Sequence, residues 1–171
     1  MNRILPYRGY PVALSLKARA TPVVSTMFGS LVPLLLPIIA QTPIVPPFGL
    51  LVLLAWRLLR PGLWPVWVPL PLGLFDDLAS GQPLGSAMFS WTAAFLAIEA
   101  SERSLLWRDY VQDWVAACWA IAGCLFASYL FALLAGGKAP ILAIVPQLVA
   151  SMLLFPAAAR LCARLDAWRL R

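Results

Sequence analysis

The stretch Gly73–Gly85, GLFDDLASGQPLG, separates two hydrophobic segments and contains two adjacent aspartates. Asp76 and Asp77 end one apolar run, and Pro83 opens the next. An aspartate that faces lipid costs about 2.5 to 3.5 kcal/mol on insertion scales. The pair is therefore expected at a bundle interior, at a wet cavity or at the membrane interface, and the surrounding chain decides between these.

The composition indicates an integral membrane protein. Of 171 residues, 62% are hydrophobic and 12% are charged, and the mean hydropathy is +0.84. Soluble domains have about 45 to 50% apolar and about 25% charged residues. Apolar runs cover most of the length, so no soluble domain above roughly twenty residues is expected. The net charge of +6 comes from basic residues that flank apolar runs, which indicates topology signals and no nucleic-acid partner.

The reactive side chains favour no catalytic site. The chain has no histidine, and its three cysteines (Cys118, Cys124 and Cys162) lie in or beside apolar runs. A Cys/His zinc site, a disulfide framework and a His-activated nucleophile are therefore not supported. An aspartyl protease needs two carboxylates that share a proton, whereas consecutive helical residues diverge by about 100°. We expect core cysteines, no catalytic residue, no metal and no cofactor.

The apolar runs predict an all-α, polytopic membrane protein with six transmembrane helices. The expected spans are 21–40, 48–59, 61–75, 83–100, 114–135 and 139–159, with residues 1–20 as a cytoplasmic segment, 21–160 as the transmembrane domain and 161–171 as a basic cytoplasmic tail. The third run gives only about 22 Å of helix against about 30 Å of hydrocarbon. The third helix therefore either thins the bilayer or continues to about Ser80 with its acidic end inside the protein.

The distribution of basic residues predicts the orientation. With six spans and an inner N-terminus, twelve of the thirteen basic residues fall on the cytoplasmic side, and Lys138 alone falls outside. Both termini are therefore expected in the cytoplasm. Asp76 and Asp77 are expected on the outer side, which in a bacterial inner membrane faces the periplasm.

Three further features of the helices and their ends are predicted. The first span is expected to bend at Pro33 and Pro37. The fifth span carries small residues close to one stripe, which permits close approach by another helix; these residues are Ala116, Ala120, Gly123, Ala127 and Ser128. Trp107, Tyr110 and Trp114 predict an aromatic belt at the interface before this span.

The turn between the third and fourth spans is expected to be held by one carboxylate. Asp77 can accept hydrogen bonds from the amides that open the fourth helix, whose positive dipole end favours an anion. Gly81 and Gly85 would then let the backbone turn and pack tightly. Asp76 is expected to face solvent.

The start of the fourth helix carries two local signals. Pro83 fits the first turn of a helix, where its missing N–H removes no hydrogen bond. Ser80 fits the position of an N-terminal cap. The fourth helix is therefore expected to begin at about Pro83.

The chain resembles the rod shape-determining protein MreD family of bacterial inner membranes. The resemblance rests on the pattern Gly73-x-x-x-Asp77-Leu78-x-Ser80-Gly81-x-x-Leu84-Gly85 between the third and fourth of six short spans. Pro47 before the second span, Gln147 in the last span, and Phe155-Pro156 before a basic tail also look like the family. The family pattern has a single aspartate at Asp77, so the resemblance assigns no role to Asp76.

The resemblance implies a non-enzymatic component of the cell-elongation machinery. MreD-like proteins associate with the bitopic protein MreC, and through it with MreB filaments, the glycosyltransferase RodA and a penicillin-binding transpeptidase that build lateral peptidoglycan. The implied interaction motif comprises Gly73, Asp77, Ser80, Gly81, Pro83 and Gly85. Membrane lipids are the other expected partner, and no cofactor is implied.

The MreD fold is thought to be similar to the six-helix substrate-binding subunit of energy-coupling-factor transporters. This similarity gives an alternative function, the substrate-binding membrane subunit of a small-molecule transporter. Such subunits usually meet their transport partner through small residues spaced four apart on the first helix. Here Gly29, Pro33 and Pro37 hold that spacing, which favours the shape-determining function.

Overall fold

The computed structural model of this chain describes residues 16–35, 45–102, 110–137 and 141–170. Its helices are α1 (Leu16–Leu35), α2 (Phe48–Leu59), α3 (Pro69–Ser80), α4 (Ser86–Glu102), α5 (Tyr110–Leu134) and α6 (Ile144–Arg169), with a 3₁₀ turn at Ile141–Ala143 before α6. No strand occurs in these described ranges. The predicted all-α class is confirmed.

The α2 helix has the predicted bounds, whereas the third helix starts later than predicted. Residues 61–68 form turns, with Gly62 at φ 83°, and α3 begins only at Pro69. The reason is that Pro61 and Pro65 cannot donate backbone hydrogen bonds inside a helix, while Pro69 occupies a first-turn position that needs no donor. The helix continues to Ser80, so its acidic end lies inside the protein, as the second alternative predicted.

The α2 helix is the most completely buried of the described helices. Ten consecutive residues, from Gly49 to Leu58, are buried, as expected for a helix that is apolar all round. It lies between α1 and α6 and also touches α5. Trp56 is fully buried, and its indole Nε1 donates to Ser25 Oγ of α1 at 2.9 Å. With twelve residues, α2 is about 18 Å long, which is shorter than the about 30 Å of a bilayer core.

The other helices pack in a ring that closes through α2. The α3 helix packs on α1 and α4, α4 packs on α5, and α5 packs on α6, which in turn packs on α2. Consecutive helices from α3 onward are thus neighbours in space, as short connections favour.

Among the described residues, two helices are long and apolar enough to cross a membrane, α5 and α6. Two shorter apolar helices are Ala20–Leu35 and α2. Only 22% and 11% of the most apolar 18 residues of α5 and α6 are buried. The core helix of a soluble protein would bury most of its apolar residues, so these outward apolar faces indicate membrane association.

Charged side chains join the ends of α2 and α6. Arg60 Nε and Nη2 donate to Asp166 Oδ2 at 3.0 and 2.8 Å, and Arg169 Nε donates to Asp166 Oδ1 at 2.7 Å. The Arg169 guanidinium also lies 5.0 Å from the Trp56 ring centre. The end of the second predicted span and the basic tail therefore lie at one end of the bundle.

Several sequence predictions concern residues outside the described ranges, and one predicted boundary falls inside a helix. The basic residues of segment 1–15, together with Arg103, Arg108, Lys138, Pro37 and Trp107, lie outside the described residues. The orientation and the aromatic belt therefore stay predictions. The boundary predicted after residue 160 falls inside α6, which runs unbroken to Arg169.

Candidate functional site at the α3–α4 turn

The turn between α3 and α4 depends on two glycines with left-handed backbone conformations. Gly81 has φ 69° and its N–H donates to the Asp77 carbonyl at 3.1 Å, which ends α3. Gly85 has φ 96°, and its carbonyl accepts the first α4 hydrogen bond, from Phe89 N at 2.9 Å. Side chains with a Cβ rarely adopt such angles. The predicted role of both glycines in turning the backbone is confirmed.

The Asp77 carboxylate holds the beginning of α4. Its Oδ2 accepts from Gly85 N at 2.8 Å and from Met88 N at 3.4 Å. Its Oδ1 accepts from Ser86 Oγ at 2.9 Å and from Ala87 N at 2.8 Å. Asp77 is 1% exposed, so these donors satisfy a buried anion at the positive end of a helix dipole. The predicted hydrogen bonds between Asp77 and the fourth helix are confirmed.

The predictions for Ser80 and Pro83 are wrong. Ser80 is the exposed last residue of α3 and does not cap α4, which begins at Ser86. Pro83 precedes the helix, and its carbonyl accepts from Ser86 N at 3.1 Å. The physical reason is that Asp77, from the preceding helix, supplies the cap. The local sequence before α4 therefore needs no capping residue of its own.

Close packing occurs at Gly73, whereas the tight packing predicted for Gly81 and Gly85 is wrong. Within the described residues, nothing lies within 4 Å of a Cβ built at Gly81 or at Gly85. A Cβ at Gly73 would lie 2.6 Å from Met88 Cα and 2.7 Å from its nitrogen. Gly73 thus lets the backbones of α3 and α4 touch one helical turn before Asp77.

Asp76 is buried, and the prediction that it faces solvent is wrong. Only 9% of the Asp76 surface is exposed. A Cβ built at Gly49 would lie 3.0 Å from Asp76 Oδ1 and 3.1 Å from Trp91 Cη2, and it would overlap Ser30 Oγ. Since α3 packs on α1 as well as on α4, the direction about 100° away from Asp77 points into the bundle.

Asp76 lines a cavity of about 270 Å³ at this end of the bundle. Gln82, Trp91, Tyr129 and Gln147 line the same cavity. Gln147 Nε2 donates to Val45 O at 2.8 Å, which joins α6 to the residues before α2. The turn, the cavity and the beginning of α6 therefore lie next to one another.

The small residues of α5 face a groove instead of a tightly packed helix. Ala116, Ala120, Gly123 and Ala127 line an open groove of about 610 Å³ between α4 and α5. No described atom lies within 4 Å of a Cβ built at Gly123. Ser128, the last member of the predicted stripe, lines the polar cavity. The stripe therefore permits close approach but is not covered by a further helix from the described ranges.

The cysteines match the predicted core role where the structure buries them. Cys124 and Cys162 are buried, and Cys118 is half-buried. In the described part of the chain, no group of three or more His, Cys, Asp or Glu side chains could hold a metal ion. Comparison of the chain with models of protein families, with curated proteins and with solved structures gives no match. The site is therefore interpreted from its own geometry.

Proposed function

We propose that this protein is a non-enzymatic scaffold of the bacterial cell-elongation machinery, similar to the MreD family. In this proposal six helices cross the inner membrane, and both termini lie in the cytoplasm. The observation that carries the proposal is the groove between α4 and α5. It is a concave, apolar surface of the size and chemistry that a single transmembrane helix needs.

Both walls of the groove consist largely of small side chains. Ala93 and Ala97 of α4 lie opposite Ala116, Ala120 and Gly123 of α5. In lipid, helices associate by close van der Waals contact, which small residues on the facing surfaces allow. Along α5 the lining residues run from 112 to 127, a length of about 22 Å. This length would bury most of a partner's spanning helix.

The proposed occupant is the single transmembrane helix of an MreC-like bitopic protein. Through that partner the scaffold would act on MreB filaments, a RodA-type glycosyltransferase and a penicillin-binding transpeptidase. The Asp77 turn supports this role indirectly, because it fixes the start of α4 and therefore one wall of the groove. Gly73 supports it in the same way, since it sets the distance between α3 and α4.

Substitution in the groove tests the proposal. Gly123→Leu places an isobutyl group in the groove, where a Cβ meets no described atom within 4 Å. We expect normal membrane abundance, at least tenfold less co-purification of the MreC-like partner, and rounded cells when this variant replaces the wild type in a rod-shaped host.

Ala100→Leu is the matched control, because Ala100 is an exposed α4 residue outside the groove. It should keep wild-type co-purification and cell shape. If Gly123→Leu and the wild type are equally abundant and co-purify equal amounts of the MreC-like partner, the groove is not the docking site. Depletion of the whole protein without any change of cell shape would remove the scaffold function itself.

The substrate-binding subunit of a small-molecule transporter is the second candidate. The cavity beside Asp76 favours it, because a few polar groups converge on one concave space. Gly29 argues against it. A Cβ there would lie 3.1 Å from Phe48 O, so this small residue of α1 packs inward on α2 and does not offer a docking surface. A nutrient-specific growth defect with normal cell shape on depletion would favour transport.

A further inference from the structure

The two adjacent aspartates have different surroundings. Asp77 receives backbone and hydroxyl donors from the beginning of α4. Asp76 is also buried, at 9% exposure against 1% for Asp77, and the donors at the beginning of α4 bond to Asp77. Ser30 Oγ lies next to Asp76, is 96% buried by residue, and has no hydrogen-bond partner of ordinary geometry in the described part of the chain. Of these two side chains only Asp76 lines the cavity, so a ligand there would meet the carboxylate, and a buried carboxylate is stabilised by a cationic partner.

The cavity in front of Asp76 is lined by groups that suit a cation. No arginine or lysine of the described ranges lines it. Gln147 uses its amide NH₂ on Val45 O, so the other polar atom of that side chain, Oε1, is an acceptor. The Trp91 ring lies near the Asp76 carboxylate. A Cβ built at Gly49 would lie 3.1 Å from Trp91 Cη2 and 3.0 Å from Asp76 Oδ1. A carboxylate, amide oxygens and an indole ring together are the groups that bind an organic ammonium ion.

We infer that this cavity binds a primary ammonium group, with the Asp76 carboxylate as its counter-ion and Trp91 against its alkyl or ammonium face. The volume of about 270 Å³ is several times the about 30 Å³ share of one water molecule. It therefore accepts an ammonium with a short carbon chain together with water. The same chemistry occurs in free small amines and in the ethanolamine headgroup of a phospholipid. This inference rests on the cavity alone and goes beyond the scaffold function.

Thermal unfolding of the purified full chain in an amine-free maltoside detergent tests the site. The probe is ethylammonium chloride, compared with sodium chloride and tetramethylammonium chloride at equal ionic strength. A ligand that binds only the folded state raises the unfolding midpoint in a saturable way. We expect ethylammonium to do so and tetramethylammonium, which has no N–H donor, to act like sodium.

Substitutions then assign the response to the cavity. Asp76→Asn keeps the side-chain shape and removes the charge, and we expect at least tenfold weaker ethylammonium binding. Ala132→Leu, from the α5 wall, narrows the cavity without touching the carboxylate and should also weaken binding, which keeps the test valid if Asp76→Asn folds poorly. Asp113→Asn, a carboxylate that lines the groove and not this cavity, should leave binding unchanged.

Lipid nanodiscs distinguish the two sources of the ammonium group. If the headgroup is the ligand, discs with phosphatidylethanolamine should stabilise the wild type relative to phosphatidylcholine discs and should abolish the ethylammonium response. If a free amine is the ligand, the response should be equal in both discs. An absent ethylammonium-specific response, or an equal one in Asp76→Asn, would overturn the inference. A response that appears only in Lys138→Gln would also overturn it, because the cavity would then belong to the chain's own lysine.

Discussion

At the α3–α4 end of the bundle, Asp77 accepts hydrogen bonds from residues eight to eleven positions later, whereas at the other end Asp166 pairs with an arginine 106 positions earlier. The first carboxylate is satisfied by neutral backbone amides and a hydroxyl. The second is satisfied by two guanidinium groups. Both carboxylates are buried, at 1% and 6% residue exposure.

The different partners of Asp77 and Asp166 correspond to two different structural roles. Asp77 fixes one connection between consecutive helices, so its loss leaves several amides of α4 without acceptors in a buried place. Asp166 closes the bundle between helices that are far apart in sequence. Its loss leaves positive charges next to an apolar core, and the damage depends on how much water each arginine reaches.

The largest effect is expected for Asp77→Ala. Loss of a buried cap together with unsatisfied amides should lower the free energy of unfolding by about 3 kcal/mol. Reversible unfolding in mixed micelles of dodecyl sulfate and maltoside measures it. The control is Leu78→Ala, at a neighbour that is 66% exposed and should change stability little. Equal stability of the two variants would show that the turn does not depend on the carboxylate.

A smaller effect is expected for Asp166→Asn, about 2 kcal/mol, because one of its two partners remains partly solvated. The Arg60 side chain is 40% exposed and the Arg169 side chain is 5% exposed. Double-mutant cycles with Arg60→Gln and Arg169→Gln should therefore give the larger coupling free energy for Arg169. A larger coupling for Arg60 would reverse this ranking and make the link between α2 and α6 the stronger contact.

The smallest effect is expected for Gly81→Ala, which places a Cβ on a residue with φ 69°. The left-handed conformation should lower the free energy of unfolding by about 1 kcal/mol. Gly81→Asn should lower it less, since asparagine tolerates this region better. The same unfolding titration compares them. If both variants have the same free energy of unfolding as the wild type, the left-handed conformation at this position does not affect stability.

Features that depend on short stretches of chain could be predicted from the sequence. The bounds of α2 follow from an apolar run between Pro47 and Arg60, and the hydrogen bonds of Asp77 follow from a carboxylate between two apolar runs. The burial of Asp76 could not be predicted, because it depends on α1 packing against α3 through Ser30 and Gly49. Such contacts join segments that are distant in sequence, and the local spacing of residues does not predict them.

The late start of α3 and the pairing of Arg60 with Asp166 show the same limit. Residues 61–75 look continuous in hydropathy, and only the proline positions indicate that the first part forms turns. The Asp166–Arg169 contact, three residues apart on one helix, is readable from spacing. The contact with Arg60 needs the tertiary fold. The six-span topology and the partners remain proposals.

The burial of α2 has a consequence for the order in which the protein is made. About 85 residues separate the end of α2 from the start of α6. At a synthesis rate of about 5 to 20 residues per second, α2 leaves the ribosome roughly 4 to 17 seconds before the helix that covers it. During that interval Arg60 has no Asp166 to pair with. A nascent chain that stops before α6 therefore lacks the Arg60–Asp166 contact, and the side of α2 that α6 covers in the complete bundle stays open.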